Sequence, residues 1–226
     1  FGRFAPGADG FLRSYPNFRT ALLDSLEKLD PQKAVVVGKD ILDTSENTDE
    51  WALALRTLSR YAENEGDQAF LSNKVQELLY KETWLDDPTF SFLHAFDAAV
   101  AEGNVASVDR LGELIKNPPN RPVSHAATIA IDRYFQMNPG SGTSYGASHP
   151  EFLESLTGFR ATLMARANPG VANEMLAVDE YLESVLVPAL EKQTFFQSFP
   201  NFNSTFSYNL ITGSLLLSRE EMRERS

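Results

Sequence analysis

Cysteine is absent from all 226 residues, which removes disulfides, thiol catalysis and every zinc site built with sulfur. Histidine is scarce. His94, His125 and His149 are the only three, and none stands in the His-Glu-x-x-His or Glu-x-x-His spacing that puts two ligands on one helix face. No resident metal or other cofactor is therefore expected. Long apolar runs are also lacking, and nothing approaches the roughly 20 consecutive apolar residues that a membrane span needs. Basic charge is in deficit, with 20 Lys plus Arg against 31 Asp plus Glu and a net charge of −11. That sign repels a phosphate backbone, so nucleic acid is not an expected partner, whereas a protein or peptide of basic character is.

Alternating strand patterns are equally rare, and helical spacing takes their place. Trp51, Leu55, Leu58 and Ala62 recur on one helix face, as do Met175, Val178, Leu182 and Val185. Asp30-Pro31, Asp87-Pro88 and Asn168-Pro169 each set a capping side chain ahead of a proline, which is favoured at the first helical position. Ser148 with Glu151 forms a capping box. These signals predict helices over 17–29, 31–43, 49–65, 67–82, 88–102, 104–116, 122–138, 150–167 and 170–192, the last kinked by Pro188. The chain then reads as an extended segment over 1–16, helical hairpins over 17–138, and longer helices with a Gly/Ser loop over 139–226, in one continuous domain.

Short turns such as Glu65-Gly66-Asp67 and Glu102-Gly103-Asn104 make neighbouring helices antiparallel. The helix ends Asp40-Ile41-Leu42, Glu77-Leu78-Leu79 and Glu113-Leu114-Ile115 recur at spacings of 37 (79 − 42) and 36 (115 − 79) residues. That period belongs to helical-repeat proteins. In architecture, 17–138 resembles HEAT-like and tetratricopeptide-like helical-hairpin repeats, although Trp51, Leu55, Arg56 and Tyr61 depart from the tetratricopeptide residue pattern. The resemblance implies an all-α fold, a right-handed α-α superhelix of stacked antiparallel hairpins, with a protein-binding role. An irregular multi-helix bundle is the alternative.

Candidate catalytic groups each meet a simpler reading. Gly142-Thr-Ser144-Tyr-Gly146 matches a nucleophile elbow, but Pro139, Gly140 and Ser141 stand where that motif needs a strand, and the nearest downstream histidine is His149. A loop is the expected role. His94 and Asp97 share a helix face, yet Phe92, Leu93 and Phe96 around them point to a packed core histidine. Asp87 of the Asp86-Asp87 pair reads as a helix cap, and Glu63, Glu65 and Asp67 as an exposed hairpin end. The acidic run Asp40, Asp43, Glu46, Asp49 and Glu50 reads as a solvated helix end and loop. Trp51 and Trp84 are expected in the core. No catalytic residue is assigned; an enzyme built from this chain would have to bring Ser144, His149, His94 and Asp97 together.

The compositional outlier is 193–218, which holds no charged residue and gathers Phe195, Phe196, Phe199, Phe202, Phe206 and Tyr208. These aromatics either cover an open apolar end of the helix stack or form the binding surface. The function expected is thus a non-enzymatic, acidic scaffold for a protein or peptide, of adaptor, inhibitor or immunity type. The alternative is a helical protein that holds a small apolar ligand or lipid. The chain opens on Phe1, without a basic, apolar leader. A processed precursor or a trimmed chain would open in that way; the first favours an exported protein, periplasmic or extracellular, over a cytoplasmic one, and composition leaves the compartment undecided. Ser218 and Glu221 open a further capping box near the last residue, as in a piece of a longer protein.

Overall fold

Asparagine and aspartate side chains set most helix starts in this protein, described here from a computed structural model over residues 2–7, 9–137, 161, 164, 165, 167–199, 210 and 211. The chain begins with two short strands, β1 (Ala5–Pro6) and β2 (Leu12–Ser14), paired antiparallel. Helix α1 (Phe18–Leu29) starts at Asn17, whose side chain accepts from the Thr20 amide while Thr20 bonds back to the Asn17 amide. Asp30 caps α2 (Pro31–Thr44) by accepting from the Lys33 amide, with Pro31 in the first turn as expected. Asn47 caps α3 (Thr48–Tyr61) and Asn64 caps α4 (Glu65–Tyr80). Then follow α5 (Glu82–Asp86), α6 (Phe90–Ala95), α7 (Asp97–Glu102), α8 (Val105–Lys116) with its Asn104 cap, and α9 (Arg121–Met137). The fold is all-α, as expected.

Several boundaries differ from the sequence reading; Glu65-Gly66-Asp67, read as a turn, is the first turn of α4. The extended segment over 1–16 is a hairpin, pinned by buried Phe4 and Leu12. The helix expected over 88–102 divides into α6 and α7, and its cap is Thr89, which accepts from the Phe92 amide at 3.2 Å, in place of Asp87. Tertiary contacts decide this: the Thr89 and Ser91 hydroxyls donate to Thr48 Oγ1 at 2.8 and 3.1 Å, fixing the start of α6 beside α3. Asn168 likewise does not cap a helix at Pro169; its Oδ1 accepts from the Gly170 amide within a turn, and α10 (Ala172–Glu183) begins after Val171. Pro188 ends the expected 170–192 helix instead of kinking it. In a continuous helix Pro188 would supply no N–H and would clash with the carbonyl of Ser184; the chain instead leaves α10 after Glu183 and resumes as α11 (Ala189–Ser198). The Gly/Ser loop and both further capping boxes lie outside the described residues.

Two compact units divide the chain: Phe1–Ala130 with Ser207–Ser218, and Ile131–Phe206 with Arg219–Ser226. In the first, α3 is buried continuously from Glu50 to Leu58 and packs against α1, α2, α4, α6 and α7. A helix enclosed on every side is a hub. Trp51 and Trp84 lie in its core as expected, edge to face at 5.1 Å, and the ring chain continues through Phe92 at 5.9 Å and Phe96 at 5.3 Å. A close approach of α2 to α3 runs through Gly38, where an added Cβ would stand 2.9 Å from Leu58 Cδ1 and 3.6 Å from the Ala54 carbonyl oxygen. Gly38→Val is expected to cost about 2 kcal/mol by overpacking, read as an earlier urea midpoint at unchanged slope. An unchanged midpoint would show that α2 can move away from α3.

In the second unit, Met164, Val178, Tyr181, Val187 and Phe195 share one core. Tyr181 donates from its hydroxyl to Glu191 at 3.1 Å, so this buried carboxylate is hydrogen-bonded.

Candidate functional site

Helix α1 is turned against its own hydrophobicity. Its buried side chains are Thr20, Leu23, Asp24 and Glu27, while Phe18, Leu22 and Leu29 are 63, 52 and 85% exposed. Two carboxylates face the core and three large apolar groups face solvent.

The carboxylates are held by arginines of α3. Arg56, fully buried, donates from Nη2 to Asp24 Oδ1 at 2.8 Å and to Glu27 Oε2 at 2.7 Å, and from Nη1 to the Gly10 carbonyl at 2.8 Å. Thr57 Oγ1 also donates to Glu27 Oε2, at 2.6 Å, and Arg60 Nη1 to Glu27 Oε1, at 3.2 Å. Around Asp24 stand Lys28 Nζ at 3.0 Å and the Tyr15 hydroxyl at 2.9 Å. Burial opposes ionisation of Asp24, but the Arg56 charge and the hydrogen bonds from Lys28, Arg56 and Tyr15 outweigh it and hold the pKa below the ordinary value. Burial and the bond to Asp24 raise that of Tyr15. The Phe11 ring lies 4.8 Å from the Arg56 guanidinium and 4.9 Å from that of Arg60. Arg60 Nη2 reaches two distant segments, donating to the Asp9 carbonyl at 2.7 Å and the Leu210 carbonyl at 3.3 Å. The cluster thus fastens the N-terminal hairpin and residue 210 to α1 and α3. Arg56 and the Arg60 Nη atoms are committed to these structural acceptors, while the buried Arg60 Nε has none.

With Asp24 and Glu27 turned inward, the opposite face of α1 forms a groove with α2. Its volume is about 440 Å³, and its walls are Leu22, Leu26 and Leu29 of α1 with Val37 and Ile41 of α2. Arg19 and Asp40 add the charge, both toward the end away from the turn at Asp30. Arg19 is engaged by Glu50, Nε to Oε1 at 3.3 Å. Asp40 forms no salt bridge among the described residues.

The residues singled out from sequence fall elsewhere. Phe195 is 1% exposed and fills the core of the second unit, with Phe199 stacked on it at 5.0 Å, whereas Phe196 is 66% exposed. Phe202, Phe206 and Tyr208 lie outside the described residues, as do Ser144 and His149. His94 is a packed residue, its ring 4.4 Å from Phe90 and 6.3 Å from Phe4. Asp97 Oδ2 accepts from the Ile211 amide at 2.7 Å. Of the acidic run, Glu50 is buried and not solvated, because Arg19 and the Ser45 hydroxyl at 2.7 Å satisfy it. Asp43 and Glu46 pair with Lys74 at 3.0 Å and Lys81 at 2.8 Å. Among the described residues no three His, Asp or Glu side chains gather as a metal site would require, and no helix is long and apolar enough to cross a membrane.

Sequence reasoning missed both the ionic cluster and the groove. A signal for the groove was present, since Phe18, Leu22 and Leu29 follow helical spacing as a second apolar stripe beside Leu23 and Leu26. No protein-family model, no curated protein and no solved structure matches the chain.

Proposed function

We propose that the chain is a non-enzymatic helical module that binds a protein or peptide through the outer face of α1 and α2, in the manner of helical-hairpin scaffolds. The observation that carries this is the orientation of α1. Rotating it to bury Leu22 and Leu29 would hide apolar surface worth about 1.5–3 kcal/mol per side chain. The chain instead commits that side to Asp24 and Glu27 and leaves the leucines, with Phe18, Val36 and Val37, in water. Of these, Leu22, Leu29 and Val37 line one groove, and exposed apolar surface gathered in this way marks an interaction surface.

The test compares capture from the lysate of the source cells by the wild type and by a Leu22→Gln/Leu29→Gln variant. Both substitutions lie in solvent and keep helix propensity, so stability is expected to stay within about 0.5 kcal/mol of wild type, measured by urea unfolding. A partner held in fixed ratio by the wild type and lost by the equally stable variant is the expected result. Equal capture by both would place the binding surface elsewhere and sink the reading.

A further inference from the structure

We infer that the α1–α2 groove receives an amphipathic helix whose apolar side is flanked by a basic residue set against Asp40; this rests on the binding-module reading above. The chemistry of the lining selects the occupant. An extended strand binds by completing the backbone hydrogen bonds of a sheet edge, and the groove walls are two helices whose own backbone bonds are made internally. A polyproline ligand needs aromatic walls, whereas Leu22, Leu26, Leu29, Val37 and Ile41 are aliphatic. An enclosed small ligand needs most of its surface covered, and this groove is open along its length with Leu29 85% exposed.

A helix meets each condition. From Arg19 to Leu29 the α1 wall rises ten residue steps, about 15 Å, which matches the apolar side of a helix presenting residues i, i+4, i+7 and i+11. Charge fixes the rest. Arg19 already pairs through Nε with Glu50, which leaves Asp40 as the lining charge without a salt bridge among the described residues. A basic side chain beside the apolar stripe of the incoming helix answers it. Against a chain of net charge −11, a basic helix is also steered inward, whereas a second copy of the chain is repelled.

The test uses two labelled model peptides of about 14 residues, enough for nearly four helical turns. One carries Leu at i, i+4, i+7 and i+11 with Lys and Gln elsewhere; the other has Glu in place of each Lys. Fluorescence anisotropy is measured against the wild type, Leu29→Gln/Val37→Gln and Asp40→Asn. The Lys peptide is expected to bind the wild type, and to lose about tenfold in affinity on Leu29→Gln/Val37→Gln. It should lose about threefold on Asp40→Asn at low salt, and less at high salt. The Glu peptide should bind the wild type about tenfold more weakly than the Lys peptide. Equal binding of the Lys peptide to wild type and Leu29→Gln/Val37→Gln would overturn the groove as its site. If the Glu peptide bound as tightly as the Lys peptide, and lost affinity on Leu29→Gln/Val37→Gln, the module reading would stand and the basic occupant would fall. Failure of both peptides to bind overturns the inference, and the lysate comparison then judges the module reading alone. A wild-type dimer by light scattering that becomes monomeric in Leu29→Gln/Val37→Gln would name a second copy as occupant and overturn it as well.

Discussion

Replacing Arg56 by Met lowers the stability of the first unit by about 3 kcal/mol at neutral pH, because truncating one partner of a buried ion pair strands the other. Arg56 is fully buried and serves Asp24, Glu27 and the Gly10 carbonyl at once. The loss is held to the lower part of the range for such changes because Lys28 and Tyr15 remain on Asp24, and Arg60 and Thr57 on Glu27. Acid should act oppositely on the two proteins. In the wild type the Asp24 pKa is depressed, so its contribution is present above the unfolded value near 3.8 and is lost as pH falls through the lower folded value. Without Arg56 the largest lowering influence is gone while burial persists, so protonation of Asp24 in the folded variant relieves it. The deficit measured by urea unfolding should therefore shrink as the solution is made acid enough to protonate Asp24 in the folded variant. Amide exchange at Gly7, bonded to the Phe11 carbonyl at 2.9 Å, should rise early in the variant, since Arg56 holds the next carbonyl at Gly10. A loss below about 1 kcal/mol, with an unchanged pH profile, would show that hydrophobic packing alone seats the hairpin.

Local chemistry was legible where it acts alone. Asp30-Pro31 marks its helix start because the cap and the proline need only the next three residues. Trp51 and Trp84 read as core because nothing else accommodates them at apolar helical positions. The same local rule misassigned Asp87 and Asn168. An Asx side chain before proline can cap a helix or close a turn, and the choice for the 88–90 region was made by Thr48, 41 residues from Thr89. The rotation of α1 was hidden for the same reason at larger scale. Phe18, Leu22, Leu23, Leu26 and Leu29 offer two apolar stripes, and which one faces inward is decided by bonds from Arg56 to Glu27 and Gly10, over 29 and 46 residues. Helical periodicity gives the existence of an apolar face, whereas buried ion pairs set its direction. The groove, which exists only because Asp24 and Glu27 are turned inward, was therefore out of reach of pattern reading, although its leucines were visible.

Acidification from pH 6.5 to 4 should cost the fold about 3 kcal/mol through His94 alone. The ring is packed beside Phe90 and Phe4, and burial pushes its pKa down from 6.5 to about 4. Above pH 6.5 the imidazole is neutral in both folded and unfolded chains, and the group has no effect. Between pH 6.5 and 4 the unfolded chain takes up a proton that the folded one refuses, so stability drops by about 1.4 kcal/mol per pH unit. Below 4 both states are protonated and the loss stops growing. The window is separate from that of Asp24, whose depressed pKa confines its contribution to more acid conditions. Urea unfolding across this range should show the slope in the wild type and a flattened slope in His94→Leu, which keeps an apolar side chain against Phe4 and Phe90. Equal slopes in the two proteins would assign the acid sensitivity to other groups.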